Sequence, residues 1–209
     1  EGETTISADL VIAADGRHSL MRDRSRLESE AFGAPMDVLW FRVSRRDSDG
    51  EGGGGWFGRG HLLVTIDRGD YWQCAFVVPK GSDSAIRAGG LAAFREQIAT
   101  LAPCLADRVG EIRDFDTVKL LTVVVDRLKR WHRPGLLCIG DAAHAMSPIG
   151  GVGINIAIQD AVAAANLLAV PLREGRVMED DLARVQARRL PAAKRTQAVQ
   201  RFMQDRFIA

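Results

Sequence analysis

The chain of 209 residues is short of several features that mark common protein classes. It has three cysteines, Cys74, Cys104 and Cys138, an odd number with no Cys-x-x-Cys spacing. That excludes a disulfide framework and a cysteine-based zinc site. It also points to a reducing compartment, so a cytoplasmic location is expected. An excess of one charge is missing as well: 28 Lys and Arg stand against 27 Asp and Glu, for a net charge of +1. Neither nucleic acid nor an anionic membrane surface is therefore an expected partner. No run of about twenty apolar residues appears, so no membrane span is expected. The uncharged stretch after Asp141 carries Pro, Asn and several Gly, which suits a ligand-binding corner better than a lipid-facing helix. There is one Tyr, Tyr71, no initiating Met, no visible catalytic triad and no metal-ligand spacing. No strand is followed by Gly-x-Gly-x-x-Gly and a helix, the unit that would hold an ADP moiety.

What is present reads as a globular α/β chain, 46% apolar and 26% charged, close to the averages for such proteins. Ala8 to Ala14 is a short apolar run of the kind expected for a buried parallel strand. It ends in Asp15-Gly16-Arg17-His18-Ser19, and Ser19 is placed to cap a short helix. Val38 to Val43 is strand-like. Leu62 to Ile66 and Tyr71 to Val78 flank Asp67-Arg68-Gly69-Asp70 as a hairpin, with Pro79 stopping the second strand. Gly52 to Gly58 precedes a strand, not a helix, and reads as a flexible hairpin loop. Leu91, Phe94, Ile98 and Leu101 share one face of a helix that ends before Pro103. Val118 to Val125 reads as a further strand. Glu179 to Phe207 reads as helical, with a break or kink expected at Pro191 and its many Arg and Gln forming a solvated face. Tyr71, beside Trp72, is expected in the core or on the sheet surface. Cys138 is expected to be a small core residue. Three stretches result: 1–30, 31–128 and 129–209.

The most informative stretch begins at Leu136. A short apolar strand ends at Gly140-Asp141; Pro148 and a corner containing Gly150, Gly151 and Gly153 follow, and a long apolar helix runs from Ile154 to Leu168. The carboxylate at a strand end can accept charge-assisted hydrogen bonds from a polyol. The mouth of the helix offers unpaired N–H groups and roughly half a positive charge. Glycines there let the backbone approach a flat ring and adopt positive φ. Such a corner fits a ligand with hydroxyls on one part and an electron-rich carbonyl on another.

Gly140-Asp141-Ala142-Ala143-His144, with Pro148, Gly151, Gly153, Asn155 and Asp160-Ala161, resembles the second FAD motif of the flavoprotein aromatic hydroxylases, the p-hydroxybenzoate hydroxylase-like FAD-dependent monooxygenases. Asp15-Gly16, with Ser19 and Arg22, resembles the Asp-Gly motif of the same family, which lies near the pyrophosphates of FAD and NAD(P)H. The resemblance covers nearly the whole chain. It implies an α/β fold in which a partial FAD-binding Rossmann-like domain, 1–30 and 129–209, carries an inserted, mostly antiparallel β-sheet substrate domain, 31–128. It also implies FAD as cofactor, NAD(P)H as co-substrate, and an aromatic or polyketide-like small molecule and O₂ as partners. The product would be a ring hydroxylated through a flavin C4a-hydroperoxide. The cofactor-binding residues carried over are Asp15, Gly16, Gly140, Asp141, Pro148, Gly151, Gly153, Ile154 and Asn155. Asp141 would bind ribityl hydroxyls, Pro148 and Ile149 would line the ring, and amides near Gly153 would face the flavin N1–C2 carbonyl. No side chain is assigned as catalytic, because the cofactor carries the hard chemistry. His144 is expected to make a structural hydrogen bond. Trp40, Arg42, Trp56, Phe57, His61 and Trp72 are candidates for contact with substrate.

The missing Gly-x-Gly-x-x-Gly unit makes the chain read as the C-terminal portion of a longer flavoprotein. On that reading the isolated chain is inactive and loses FAD during purification. Two alternatives stay open: a same-fold flavoenzyme with other chemistry (epoxidase, halogenase or reductase), and a truncated remnant without activity. No Trp-x-Trp-x-x-Pro string supports a halogenase.

Overall fold

The computed structural model describes residues 4–58 and 60–207. In chain order the elements are β1 (Val11–Ala13), α1 (Leu20–Ser25), β2 (Ser29–Ala31), β3 (Met36–Ser44), β4 (Gly55–Gly58), β5 (His61–Asp67), β6 (Tyr71–Pro79), α2 (Asp83–Ala88), α3 (Leu91–Leu101), β7 (Lys119–Leu121), β8 (Asp126–Leu128), β9 (His132–Arg133), β10 (Leu136–Cys138), α4 (Gly153–Arg173) and α5 (Glu179–Phe207). They form two units. One is Glu1–Gly33 with Val124–Met203; the other is Ala34–Val123 with Gln204–Ala209.

In the first unit β1 and β10 pair in parallel, Val11 with Leu136 and Ala13 with Cys138, and β9 adds an antiparallel edge. A parallel pair needs a long crossover, and here the whole second unit is spliced between the two strands. β10 is buried, with Leu137 and Cys138 at 0% exposure. Burial pushes the Cys138 thiol up to about 11, as befits an inert core residue. β1 is less covered than its apolar sequence suggests. Ala13 is buried, but Val11 and Ile12 are exposed.

α4 lays Ile156, Ala164 and Leu168 on this core, and α5 adds Leu182, Val185 and Ala193. Contrary to the expectation from the apolar runs, Ile149–Arg173 is long and apolar enough to cross a membrane by length and composition. Its interior contradicts that use. Asp160 in mid-helix is fully buried, paired with Arg189 and hydrogen-bonded to His144, and the inner face packs on the strands, so α4 is the core helix of the unit. Its outer face leaves Ile154, Ile158 and Val162 exposed.

α5 corrects two further expectations. It runs as one helix through Pro191, and its long polar side chains are not all solvated. Gln186 receives the Trp131 N–H and donates to the Lys129 carbonyl. Arg189, Gln197, Gln200 and Gln204 are buried. Proline removes one intrahelical bond and crowds the preceding turn. Side-chain bonds from Gln186 and Arg189 on one side, and from Gln197 and Gln200 on the other, tie both flanking segments down.

The second unit is built on a five-stranded antiparallel sheet of order β4-β5-β6-β3-β7. The expected hairpin is present, with Asp67 opposite Trp72. α3 starts and stops where its apolar spacing indicates, and buries Phe94 and Ile98 against Leu39, Phe41, Leu63, Cys74 and Phe76.

Two expectations change. The glycine run is not a hairpin loop: Gly55–Gly58 is edge strand β4, and the ladder extends back to Gly54, whose carbonyl accepts from Thr65 N–H at 2.9 Å. A Cβ on Gly53 would lie 2.1 Å from the Thr65 carbonyl oxygen, so close backbone approach, not mobility, demands glycine there. The strand expected over Val118 to Val125 shrinks to Lys119–Leu121. Past it, the Val123 N–H turns to the buried Asp37 carboxylate at 3.0 Å. Asp37 also takes Lys80 Nζ at 2.7 Å and the Gly81 N–H at 2.9 Å. A side chain thus replaces a sheet partner.

Phe94 touches Phe41 and Phe76 edge-on and Phe115 at a tilt. Phe94→Ala should lower the unfolding free energy of this unit by about 3–4 kcal/mol, the usual cost of emptying an aromatic core site. Urea denaturation followed by tryptophan fluorescence measures it, and a loss below about 1 kcal/mol would contradict this packing role.

Candidate cofactor site

Parallel neighbours end at the same edge of a sheet, where α/β proteins collect ligands. The turns after β1 and β10 therefore lie side by side. After β1, Gly16 takes φ 83°, a left-handed conformation, and its carbonyl accepts the Ser19 N–H at 3.1 Å. Ser19 Oγ caps α1 by accepting from Arg22 N–H at 3.0 Å. The Asp15 carboxylate is exposed and accepts from Met21 N–H at 3.4 Å. Hydrogen bonding to Ser19 and to these amides holds it below the ordinary carboxylate range.

After β10, Gly140 has φ 59°, and a Cβ on it would sit 3.0 Å from Ala157 Cβ. Glycine lets this turn seat itself directly on α4. The Gly140 N–H donates to Asp160 Oδ2 at 3.1 Å. Asp160, at 0% exposure, is also bonded to His144 Nε2 at 2.6 Å and accepts from Arg189 Nε at 2.7 Å. Burial by itself would raise its pKa. The bonds from His144, Arg189 and Gly140 outweigh that and hold the carboxyl below its usual range. His144 is 1% exposed and lies against Trp131, ring centroids 4.7 Å apart. Its role is structural, as expected.

Asp141, next in the turn, points outward. Its side chain is 32% exposed and meets Arg17 Nη2 at 3.5 Å, which ties the two turns together. The corner follows. Gly150 and Gly151 have φ 78° and 62°, and the Gly151 N–H closes on the Pro148 carbonyl at 3.0 Å. Val152 caps α4 without a side-chain hydrogen bond, and no acidic residue stands in the first turn. The Ile156 N–H is the first to reach a helical acceptor, the Val152 carbonyl at 3.2 Å. The N–H groups of Gly153, Ile154 and Asn155 are left at the mouth of the helix, with its positive end uncompensated by charge.

A brace of buried side chains holds this corner. Gln197 Nε2 donates to the Asp126 and Ala145 carbonyls at 2.8 and 3.0 Å. Gln200 Nε2 donates to those of Ser147 and Ile149 at 2.8 and 2.9 Å. Arg22 pairs with Asp126 at 3.2 Å and also donates to the Arg17 carbonyl at 3.0 Å. The structure thus gathers Gly16, Gly140 and Asp141 at one strand edge and sets Pro148, Gly151, Gly153, Ile154 and Asn155 in the helix mouth that follows. Asp160 stood in the quoted motif without an assigned role, and Arg17, Arg189, Gln197 and Gln200 are additions to which motif reading gave none. The last three were detectable: Leu182, Val185, Arg189, Ala193, Gln197, Gln200 and Gln204 recur at steps of three and four along one face of α5.

In the second unit, alternation along the strands sorts the six residues considered for substrate contact. Trp56, His61 and Trp72 share the face that α3 covers; Trp40, Arg42 and Phe57 lie on the opposite face, where the Arg42 guanidinium sits 5.9 Å from the Tyr71 ring centroid.

A strand-end carboxylate and an uncapped helix mouth on a parallel α/β unit, interrupted in sequence by an antiparallel sheet, suit the class of proteins that bind a nucleotide cofactor. The profile of the FAD binding domain family matches residues 1–200, and the chain belongs to that family. It is 36% identical over 209 residues to 6-methylpretetramide 4-monooxygenase of Streptomyces rimosus, covering 97% of this chain and 49% of that protein. It is 32% identical over 203 residues to 2-heptyl-3-hydroxy-4(1H)-quinolone synthase of Mycobacteroides abscessus, covering 91% and 51%. In structure it resembles PqsL of Pseudomonas aeruginosa, described as a probable FAD-dependent monooxygenase. The TM-score is 0.82 at 23% identity, over 96% of this chain and 56% of that one. The chain spans about half the length of the curated relatives it matches.

Asp160→Asn should destabilise the first unit by about 3 kcal/mol at neutral pH, since it leaves the buried Arg189 without its counter-charge. The folded-state pKa of Asp160 is depressed, so its stabilisation is complete above the ordinary carboxylate range and is lost as pH falls from that range through the lower folded-state value. Urea denaturation at a series of pH values should show the gap between wild type and variant closing towards acid. A gap independent of pH would refute the ion-pair assignment.

Proposed function

We propose that the chain is the flavin-holding and substrate-side part of an FAD-dependent monooxygenase. This enzyme hydroxylates an aromatic or polyketide-like small molecule, with NAD(P)H as reductant and O₂ as oxygen donor. One observation carries the reading: a partly exposed carboxylate, Asp141, stands beside a helix mouth that has neither an acidic residue in its first turn nor a side-chain cap. The family membership supports it, as do relatives named as monooxygenases.

The corner fits the cofactor in its chemistry. A Cβ on Gly151 or Gly153 would meet nothing within 4 Å, so the backbone can lie against a flat ring. FAD, when bound, supplies the redox and oxygen-activating chemistry that no side chain here provides. Asp141 would accept the ribityl hydroxyls, and the Asp15-Gly16 turn would lie towards the phosphates. Pro148 and Ile149 would border the ring, and the amides of Gly153, Ile154 and Asn155 would meet its carbonyl edge. There the helix terminus favours negative charge by about 0.3–1 kcal/mol, and by more where water is excluded. Gln200 holds two carbonyls of the corner and so keeps it from collapsing into that space. In the second unit, the sheet face bearing Trp40 and Arg42 is the one we propose for substrate. The three free cysteines support a cytoplasmic enzyme.

Titrating the chain with FAD and following flavin anisotropy tests the assignment. Asp141→Ala should raise the dissociation constant at least about tenfold, since hydrogen bonds to a charged acceptor are worth about 1.5–3 kcal/mol. Equal affinity in the two proteins would sink it.

A further inference from the structure

Among the described residues, Arg17 is the one arginine of the first unit with a buried guanidinium nitrogen that lacks a hydrogen-bond partner. Its backbone carbonyl is held by Arg22 Nη2 at 3.0 Å, which fixes the root of the side chain. Its Nη2 reaches Asp141 Oδ2 at 3.5 Å, the outer limit of a hydrogen bond. Its Nη1 is buried and has no hydrogen-bond partner. A guanidinium stays charged and carries five donors in a rigid fork that matches phosphate oxygens, so a buried N–H on it calls for an acceptor from outside the chain. Arg22 is the contrast, because its fork is divided between Asp126 and the Arg17 carbonyl.

Asp141, for its part, offers two oxygens and gives only one of them, loosely, to Arg17. Acceptor and donor therefore stand next to each other at the open edge. The acceptor suits hydroxyls, and the donor suits an anion close to those hydroxyls. We propose that Arg17 and Asp141 form a paired reader of a polyol phosphate. Asp141 accepts a hydroxyl of the polyol, while Arg17 Nη1 donates to an oxygen of the adjoining phosphate. The proposal rests on the FAD reading above and narrows it, since it assigns the ribityl-phosphate junction to a residue outside the motif set carried over from the family.

The test uses the chain as it is and compares FMN with riboflavin, which differ by the phosphate alone, in anisotropy titrations. Wild type should bind FMN at least tenfold more tightly than riboflavin. Arg17→Met keeps the length of the side chain but has no donors, and should bring FMN down to the level of riboflavin while leaving riboflavin unchanged. Arg17→Gln, with one amide donor and no charge, should fall between. Circular dichroism and the urea midpoint of both variants should match wild type, because the Arg17–Asp141 pair is loose and part-exposed. Asp141→Asn should weaken both flavins. An FMN preference that survives Arg17→Met overturns the assignment of Arg17 and leaves the flavin reading intact. Failure of every flavin to bind wild type overturns both. Arg17-dependent binding of NADPH, without Arg17-dependent binding of FMN, overturns the choice of ligand.

Discussion

The buried carboxylate of Asp160 is the interaction on which the site depends. Three groups from two parts of the chain converge on it: the Gly140 amide and the His144 ring of one turn, and the Arg189 guanidinium of α5. A single ion in the interior is costly, and only several well-aimed partners offset its desolvation. Once they are in place, the turn carrying Asp141 is fixed to α4, and α4 to α5. The outward direction of Asp141 follows from the inward anchoring of its neighbour. The motif residues occupy the visible edge of this arrangement, and its rigidity comes from residues behind them.

This separation explains what was legible in the sequence and what was not. Local signals served well. Apolar spacing located α3, an Asp-Arg-Gly-Asp turn located the β5–β6 hairpin, and Ser19 marked the start of α1. The strand–turn–helix corner was readable because glycine, proline and a carboxylate occur in a fixed order. Contacts made at long range were not readable. Gln197 and Gln200 look like surface residues until the carbonyls they hold are known. Val123 to Val125 have strand propensity, yet Asp37 claims the Val123 amide. The glycine run before Trp56 suggested mobility, whereas the facing Thr65 carbonyl leaves no room for a Cβ. Arg17 was read only as part of the Asp-Gly turn because its partner, Asp141, lies far along the chain.

A site of this kind relies on main-chain donors and fixed charges more than on titrating side chains. Its donors need no protonation event. They need to stay oriented, which is why buried amides and an ion-pair hub surround a corner that is itself open. Preorganised dipoles do more for developing charge than flexible groups that must reorient.

The splicing of the second unit between β1 and β10 has a consequence for loop closure. The parallel ladder closes a very long loop, and closure entropy rises with length, by about 0.6 kcal/mol for each doubling. The inserted sheet shortens that loop. Its entering and leaving strands are direct neighbours, Val38 opposite Leu121, and β2 then zips to β8 with Ser29 opposite Leu128. With the insertion in place, only the segments from Ala13 to Ser29 and from Leu128 to Leu136 remain between the two halves of the ladder. The antiparallel sheet is in this sense a clasp that shortens the loop closed by the parallel ladder.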